Sequence, residues 1–191
     1  MADQLSLFAE YAADPLLPEG VRYSPEAISA LEERLAIQAI EDLKLKPFSF
    51  QGFEGKRRVT SYGWHYDFNK GGLKKVEPIP PVFLSLRDKV AKSANIKPQK
   101  LEHLLVTEYA PGAGIGWHRD RPQFGKIVAV SLQGTAKLRF RKRGEAGWQR
   151  LSRTLLPRSI YVLDGPGRND WEHSIPAVEE LRYSLTFRTM R

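Results

Sequence analysis

The C-terminal half of the chain, from Leu101 onwards, consists of short segments in which apolar residues recur at alternate positions. The segments are LLVTEY, IVAVSL, AKLRF, SIYVL and YSLTF, and glycine, proline or charged residues separate them. Successive side chains of a β-strand point to opposite faces, so this pattern predicts strands that bury one face. Several short strands with turn signals between them are typical of a sandwich or barrel. The sequence therefore predicts a mainly β fold.

The N-terminal half carries two helical signals. Ser24 followed by proline predicts the N-cap and first turn of one helix, and the proline pair at 80–81 precedes a second. Apolar residues at helical spacing are Ile28, Leu31 and Leu35 in the first helix and Phe83, Leu86 and Val90 in the second. We expect both helices to buttress the sheet, which makes the predicted fold class α+β with β dominant.

The length and composition favour one domain, because 191 residues with 41% hydrophobic content suffice for a core. We interpret residues 1–20 as a tail and residues 21–191 as a single domain, since no linker or repeat divides them. The N-terminal sequence MADQLSLFAE does not resemble a signal peptide, and no apolar run is long enough to span a membrane. The expected location is the cytoplasm, and the expected state is a monomer.

Three residues in two separate motifs can bind a metal: His118 and Asp120 in WHRD, and His173 in WEHSI. The chain has no cysteine, which excludes thiolate ligands, disulfides and cysteine nucleophiles. Two imidazoles and one carboxylate can occupy one face of Fe(II) and leave the other positions open for a chelating co-substrate and dioxygen. The alternative is that both histidines are ordinary half-buried residues and that Asp120 caps a turn.

The last predicted strand, RYSLTFR, favours the metal-site interpretation. Its alternation places Arg182, Ser184, Thr186 and Arg188 on one face. Two guanidinium groups on the core side of a strand need anionic partners, and arginine is well suited to bidentate capture of a carboxylate. Two such groups can hold the opposite ends of a small dicarboxylate, such as 2-oxoglutarate.

The motifs EYAPGAGIGWHRD, WEHSI and RYSLTFR, in that order, resemble the AlkB family of Fe(II)- and 2-oxoglutarate-dependent dioxygenases. The resemblance extends over roughly residues 50–191. It implies a double-stranded β-helix, which is a jelly roll whose two sheets hold the metal between them. It also implies that His118, Asp120 and His173 are the iron ligands, and that 2-oxoglutarate and O2 are co-substrates.

The same resemblance implies roles for the co-substrate residues. Arg182 would hold the distal carboxylate of 2-oxoglutarate, Arg188 would lie near its metal-chelating end, and the hydroxyl of Tyr109 would contact it. Thr107 and Ser184 stand where the family commonly has asparagine, and they are two further candidate contacts.

The activity implied by the resemblance is oxidative demethylation of N-alkylated nucleobases in DNA or RNA, as in the repair of alkylation damage. The methyl group would be hydroxylated and released as formaldehyde. Two alternatives remain open at this point. The protein can be a hydroxylase of a tRNA modification or of a protein side chain, or it can be a catalytically inactive relative that binds nucleic acid.

The charge of the chain suits a polyanionic partner. The formal net charge is +8, and between Lys137 and Arg158 the basic residues are opposed by Glu145 alone. Alternation in KLRFR predicts that Leu138 and Phe140 face the core, while Arg139 and Arg141 face outwards as candidate phosphate contacts. The alternative is a strand face that is merely solvated.

The segment at about 55–75 is interpreted as a substrate-binding lid. Its candidate substrate-binding residues are Arg57, Arg58, Tyr62, Trp64 and Tyr66. Aromatic rings can stack on an extruded base while arginines hold the flanking phosphates. The RRV motif and the tyrosine spacing resemble tRNA-modifying family members at least as much as DNA-repair relatives. The alternative is a hairpin whose aromatic residues pack in the core, and His65 and His103 are predicted not to be ligands.

The N-terminal pentapeptide QLSLF resembles the peptide with which bacterial repair and replication proteins bind the sliding clamp. Its candidate anchors are Gln4, Leu5, Leu7 and Phe8. A mobile terminus can insert such apolar residues into a groove of a partner. The alternative is that the same residues fold back on the domain.

Overall fold

A computed structural model of the chain describes residues 14–50, 52–67 and 71–191. Gln4, Leu5, Leu7 and Phe8 of the clamp-binding prediction lie outside the described residues. The boundary between a tail at 1–20 and a domain at 21–191 stays a prediction. Leu17, which lies before that boundary, is buried between the sheets described below.

The described residues form thirteen strands and three α-helices. The helices are α1 (Ala30–Glu41), α2 (Leu84–Ser93) and the short α3 (Gly165–Asn169), and 3-10 turns lie at Pro81–Phe83 and Pro98–Lys100. The strands are β1 (Val21–Ser24), β2 (Lys46–Phe50), β3 (Phe53–Tyr62), β4 (Trp64–Tyr66), β5 (Leu73–Lys75), β6 (Leu101–Tyr109), β7 (Ile115–His118), β8 (Phe124–Leu132), β9 (Ala136–Gly144), β10 (Gly147–Leu155), β11 (Ser159–Leu163), β12 (Glu172–Ile175) and β13 (Arg182–Met190). No helix in these ranges is long and apolar enough to cross a membrane.

The strands are arranged in two antiparallel sheets and one hairpin. The major sheet has the order β1-β11-β8-β13-β6-β3-β2, and the minor sheet has the order β10-β9-β12-β7. Strands β4 and β5 form a separate two-stranded hairpin. The predicted mainly β jelly roll with two sheets is confirmed.

Two hydrophobic cores lie on opposite faces of the major sheet. Along β8, Val128 and Val130 pack with α1 and α2, whereas Ile127 and Ala129 pack in the core between the two sheets. This division follows from the alternation of side chains along a strand, and it explains why β8 is apolar at nearly every position. The prediction that helices buttress the sheet is confirmed.

The predicted start of the first helix was wrong. Ser24 is the last residue of β1, where it pairs with Ile160, and α1 begins after Ser29 instead. Ser29 and Glu32 form a capping box, in which the Glu32 amide donates to Ser29 Oγ at 3.2 Å and the Ser29 amide donates to Glu32 Oε2 at 2.7 Å. The shift turns Leu31 and Leu35 towards solvent and buries Ala36 and Ile40.

The second helix follows the prediction. The 3-10 turn that begins at Pro81 leads directly into α2, and Phe83, Leu86 and Val90 are all buried against the major sheet. Proline suits the first turn of a helix because its missing N–H would have no intrahelical partner there.

Candidate metal centre and co-substrate pocket

His118 and His173 face each other across the minor sheet. They pair in register between β7 and β12, and their ring centroids lie 4.3 Å apart. Asp120 follows two residues after His118, just beyond the end of β7. The ligand atoms of these three residues all lie within 4.8 Å of one another, and the rest of the described chain offers no second group of this kind. The structure therefore assembles the predicted trio.

A glycine lets the two strands that carry the histidines approach each other. A Cβ atom added to Gly114 would lie 2.7 Å from the backbone oxygen of Ile175 in β12. Any larger residue would push the start of β7 away from β12. Gly114 thus contributes to the position of His118 although it offers no ligand.

The carboxylate of Asp120 is held by Arg188. The Nη2 and Nε atoms of Arg188 lie 2.8 and 2.9 Å from the same oxygen, Asp120 Oδ1. The other oxygen, Oδ2, lies 3.3 Å from His173 Nε2. Burial raises the pKa of the Asp120 carboxyl, but Arg188 and the two histidines outweigh burial and hold that pKa well below its usual value. Asp120 is therefore an anion, as a metal ligand must be.

His118 is suited to bind a metal through Nε2. Its Nδ1 lies 2.9 Å from the backbone oxygen of Gly116, so Nδ1 carries the proton and donates it to that oxygen. Burial, and next the charge of His173, lower the pKa of His118 to about 4, although Asp120 and the Gly116 carbonyl oppose them. The imidazole is therefore neutral at neutral pH, and its second nitrogen has a free lone pair.

Arg182 is a buried cation with an incomplete set of partners. Its side chain is 0% exposed, and its Nε donates to Ser131 Oγ at 3.0 Å. Its Nη1 and Nη2 atoms are buried and have no hydrogen-bond partner within residues 14–50, 52–67 and 71–191. Leaving two donors of a buried guanidinium unpaired is costly, and a carboxylate can pair with both of them at once. This pair of free donors fits the distal carboxylate of 2-oxoglutarate.

Two tyrosines lie beside the Arg182 guanidinium. Tyr109 pairs with Arg182 in register between β6 and β13, and its ring centroid lies 5.0 Å from the Arg182 Cζ atom. Tyr161 of β11 is buried, and burial raises the pKa of its hydroxyl to about 12 against the opposing charge of Arg182. The Tyr161 hydroxyl is therefore protonated at neutral pH and can donate a hydrogen bond.

Thr107 and Ser184 face each other on β6 and β13. Both are 3% exposed, and Ser184 Oγ lies 3.4 Å from Thr186 Oγ1. They occupy the face of the major sheet that also carries Arg182 and Arg188, because Tyr183, Leu185 and Phe187 point into the helix-side core. The predicted alternation of β13 is confirmed, and contact of Thr107 and Ser184 with a co-substrate stays a prediction.

A cleft of about 930 Å³ opens beside the trio. Its walls include His118, Asp120 and Arg188, together with polar and aromatic residues of β2, β3 and β4. A volume of this size is typical of a small-molecule site. Of the five residues predicted to contact 2-oxoglutarate, Arg188 lines this cleft. The metal-binding edge of the minor sheet is thus reached from outside through one cleft.

A sequence model of the 2OG-Fe(II) oxygenase superfamily matches residues 20–188. The chain belongs to this superfamily. The oxygenases of this superfamily use Fe(II), with 2-oxoglutarate and O2 as co-substrates. The trio and the free donors of Arg182 fit that assignment.

Related proteins agree with the resemblance to the AlkB family. The chain is 23% identical over 181 residues to the Alkylated DNA repair protein ALKBH8 homolog of Arabidopsis thaliana, which is 82% of this chain and 51% of that protein. It is 30% identical over 122 residues to the Probable RNA/DNA demethylase ALKBH6 of Danio rerio, which is 63% of this chain and 49% of that protein. The chain thus spans about half the length of these curated relatives.

Two further matches broaden the comparison. Uncharacterized protein L905 of Acanthamoeba polyphaga mimivirus is 30% identical over 105 residues, which is 48% of this chain and 50% of that protein. The solved structure of OsALKBH1 superimposes with a TM-score of 0.68 at 15% identity, and the match covers 91% of this chain and 98% of that one. The structural match establishes the shared fold.

Two of the five predicted lid residues line the cleft. Arg57 lines the cleft, and its Cζ atom lies 3.8 Å from the ring centroid of Phe48. Burial lowers the pKa of Arg57. Tyr66 also lines the cleft, and Arg121 stacks over its ring at 4.8 Å.

The other three predicted lid residues lie away from the cleft walls. Arg58 points to the opposite face of β3, where it donates to Glu108 Oε1 at 3.2 Å and to the backbone oxygen of Leu45 at 3.1 Å. Tyr62 packs against the helix-side core, and Trp64 pairs with Lys75 in the β4–β5 hairpin. Adjacent residues of a strand face opposite sides, so only one of two neighbouring arginines can face the cleft.

His65 and His103 line the cleft without joining the trio. His103 is buried, and its Nδ1 lies 3.3 Å from Arg188 Nη1. His65 Nδ1 lies 3.0 Å from Ser61 Oγ. Neither belongs to the group of residues that can hold a metal.

The basic residues of β9 lie on the outer face of the minor sheet. Leu138 and Phe140 point into the core between the sheets, as predicted, whereas Arg139 and Arg141 point outwards and are half-buried. Arg139 and Arg141 pair with Ser174 and Glu172, on either side of His173, but they point to the face opposite the trio.

The sequence interpretation missed Tyr161 and Ser131. Both lie in the predicted strands SIYVL and IVAVSL, whose other residues are mostly apolar, so their polar groups were not singled out. The alternation of side chains in β11 could have predicted the position of Tyr161, because Tyr161 and Leu163 share the face that packs between the sheets.

Proposed function

We propose that the protein demethylates N-alkylated nucleobases in DNA or RNA oxidatively, and that it acts in the repair of alkylation damage. The observation that carries this proposal is the cleft, which reaches His118 and Asp120 and whose walls include a half-buried cation, Arg57, and an aromatic ring, Tyr66. Such walls suit a flat base attached to a phosphodiester chain. The names of two relatives, an alkylated DNA repair protein and a probable RNA/DNA demethylase, support the same substrate class.

In this proposal the two sheets have different roles: the minor sheet binds the metal and the major sheet binds the co-substrate. His118, Asp120 and His173 hold the iron, and Arg188 keeps Asp120 oriented through Oδ1. Arg182 and Tyr109 of the major sheet bind the distal carboxylate of 2-oxoglutarate, with Thr107 and Ser184 as neighbours. When bound, iron, 2-oxoglutarate and O2 supply the oxidation that hydroxylates the methyl carbon, and the resulting N-hydroxymethyl group releases formaldehyde.

The proposed substrate contacts are Arg57 and Tyr66. Tyr66 lines the cleft, where Arg121 stacks over its ring at 4.8 Å, and an aromatic ring in such a wall is suited to contact a base. Arg57 carries a desolvated charge next to Tyr109 and Arg188, and a phosphate or an electron-rich base edge would compensate that charge. Arg58, Tyr62 and Trp64 are not included in this proposed contact set.

The decisive experiment is turnover with Fe(II), 2-oxoglutarate and a panel of N-methylated DNA and RNA oligonucleotides. We expect formaldehyde release and an unmodified base in the product, and no turnover for His118→Ala or Asp120→Ala with the fold retained. His65→Ala is the matched control, because it removes a cleft histidine outside the trio. Absence of formaldehyde across the whole DNA and RNA panel would overturn the proposal.

The alternatives predict different outcomes in the same experiment. A hydroxylase of a tRNA modification would give a mass increase of one oxygen on a nucleoside of native tRNA, without formaldehyde. A protein hydroxylase would leave all nucleic acids unchanged. An inactive relative would bind oligonucleotides without substrate-stimulated succinate formation. A cytoplasmic location, a monomeric state and binding to a sliding clamp remain predictions from the sequence.

A further inference from the structure

Tryptophan and arginine side chains alternate on the outer face of the minor sheet. The Cζ atom of Arg141 lies 4.6 Å from the ring centroid of Trp117 and 4.5 Å from that of Trp148. Arg139 adds a second contact to Trp117 at 4.9 Å, and Arg143 adds one to Trp148 at 5.7 Å. We call these five residues the Trp–Arg ladder.

The register of the minor sheet explains why the ladder forms. His118 and His173 must point between the sheets to form the trio, so the neighbour Trp117 points outwards. In β9, Phe140 points inwards opposite His173, which turns Arg139 and Arg141 outwards as well. Trp148 of β10 pairs with Arg143 and completes the row. The metal site and the ladder are thus opposite faces of the same strands.

The outer face is positively charged. Five cations of β9 and β10 point to this side, namely Lys137, Arg139, Arg141, Arg143 and Arg150. They share the face with Glu172, whose carboxylate pairs with Arg141 at 2.6 Å, and Arg139 donates to Ser174 Oγ at 3.1 Å. One carboxylate does not neutralise five cations, so the face attracts polyanions.

The ladder is continuous with the cleft. Trp117 lines the cleft together with its neighbours Gly116 and Arg119, and it also stacks on the first two arginines of the ladder. From β7 to β10 the row crosses three strand spacings, which is roughly 14 Å. A polymer whose reactive unit enters the cleft therefore meets the ladder directly outside it.

We propose that the Trp–Arg ladder binds the unpaired nucleotides that flank the target base and leads the strand across the outer face of the minor sheet. This inference rests on the proposed action on nucleic acid. Single-stranded nucleic acid fits because the arginines match its phosphates, and because Trp148, which is 38% exposed, offers a ring on which an unpaired base can stack. A duplex does not present free base faces to that ring.

The first test measures binding of a fluorescent single-stranded oligonucleotide by anisotropy at several salt concentrations. Trp148→Ala should weaken binding at least about fivefold, whereas Trp148→Phe should retain most of the affinity because it keeps a stacking ring. Arg143→Ser should reduce the slope of log K against log salt by about 0.7, the value for one phosphate contact with a single strand. The matched control is Arg34→Ser, which removes an exposed arginine of α1 and should leave that slope unchanged.

The second test compares methylated trinucleotides with longer single strands as substrates. The wild type should have a lower KM for the longer strand, and Trp148→Ala should remove this advantage while kcat and the KM of the trinucleotide stay the same. If Trp148→Ala and Arg143→Ser alter neither affinity nor length dependence, the ladder is a structural feature and the inference is wrong. If these variants weaken binding but no protein sample releases formaldehyde, the ladder stands and the proposed demethylation fails.

Discussion

Arg188 binds one oxygen of the Asp120 carboxylate, and the other oxygen is directed at His173. Both contacts of the guanidinium, at 2.8 and 2.9 Å, go to Asp120 Oδ1, while Oδ2 faces His173. This arrangement suits a carboxylate that binds a metal through one oxygen. Arg188 occupies Oδ1 and prevents the carboxylate from rotating, so Oδ2 is the oxygen available to a metal. Arg188 lies near the C-terminal end of β13, so the major sheet orients a ligand that the minor sheet presents.

Replacing Arg188 by lysine should weaken metal binding. Lysine keeps the positive charge but cannot make both contacts to Oδ1, so Asp120 gains freedom to turn. We expect the affinity for Mn(II), used as a stable substitute for iron, to fall about 10- to 100-fold in calorimetric titrations. Arg153→Lys is a matched control, since Arg153 pairs with Asp14 far from the trio. Equal Mn(II) affinity of wild type and Arg188→Lys would show that Arg188 does not orient the ligand.

Replacing Arg182 by methionine should separate co-substrate binding from stability. Because Nη1 and Nη2 of Arg182 are buried and have no partner in the described part of the chain, the apolar side chain should leave the melting temperature of the apoprotein unchanged or raise it. The rise in melting temperature that 2-oxoglutarate causes in the metal-loaded protein should be lost. Thermal unfolding with and without 2-oxoglutarate measures both effects. A variant that melts lower and still responds to 2-oxoglutarate would contradict this account of the pocket.

The salt bridge between α1 and α2 should make stability depend on pH. Lys89 Nζ lies 2.8 Å from Glu32, and its hydrogen bond, followed by that of the Ser29 amide, lowers the pKa of Glu32 from 4.5 to about 2. A carboxyl with a depressed pKa stabilises the fold above its unfolded pKa and loses that contribution as the pH falls. The stabilisation should therefore be complete above about pH 5 and decline towards pH 2.

Glu32→Gln isolates this contribution. Since Glu32 is 34% exposed, solvent screens the pair, and we expect a loss of about 1 kcal/mol in the free energy of unfolding at pH 7. The difference from the wild type should shrink as the pH falls below the unfolded pKa. Urea denaturation at a series of pH values provides the measurement, with Glu19→Gln as a control. A difference that is the same at pH 7 and pH 3 would disprove the assignment.

The two arginines of β13 were predictable because alternation within one strand places them on one face, whereas the trio joins two strands and was expected from the motifs that resemble the AlkB family. Alternation along a strand determines which side chains share a face in WHRD, WEHSI and RYSLTFR, independently of the rest of the chain. The start of α1 was not predictable in this way. Ser24 has the features of an N-cap, and only its pairing with Ile160, which is remote in sequence, shows that it belongs to a strand.

The positions of the lid residues were also only partly predictable from the sequence. Alternation indicates that Arg57 and Arg58 face opposite sides of β3, but it does not state which of them faces the cleft. That choice is made by the register of β3 with β6, in which Arg58 pairs with Glu108. The ladder was half predicted: the outward arginines follow from KLRFR, whereas their stacking on Trp117 and Trp148 depends on three strands that meet only in the folded sheet.

The neighbouring arginines Arg57 and Arg58 provide the sharpest test of the cleft as the substrate site. Arg57→Ser removes a half-buried cation from the cleft wall, whereas Arg58→Ser removes a half-exposed cation that pairs with Glu108 on the other face of β3. We expect Arg57→Ser to lower kcat/KM for a methylated oligonucleotide about 10-fold or more, as loss of a desolvated charged contact implies. Arg58→Ser should keep kcat/KM and cost at most about 1 kcal/mol in stability. Steady-state kinetics of both variants test this prediction. Equal losses of kcat/KM in the two variants would mean that the substitutions act by destabilising β3 and not by removing a contact of Arg57 with the substrate.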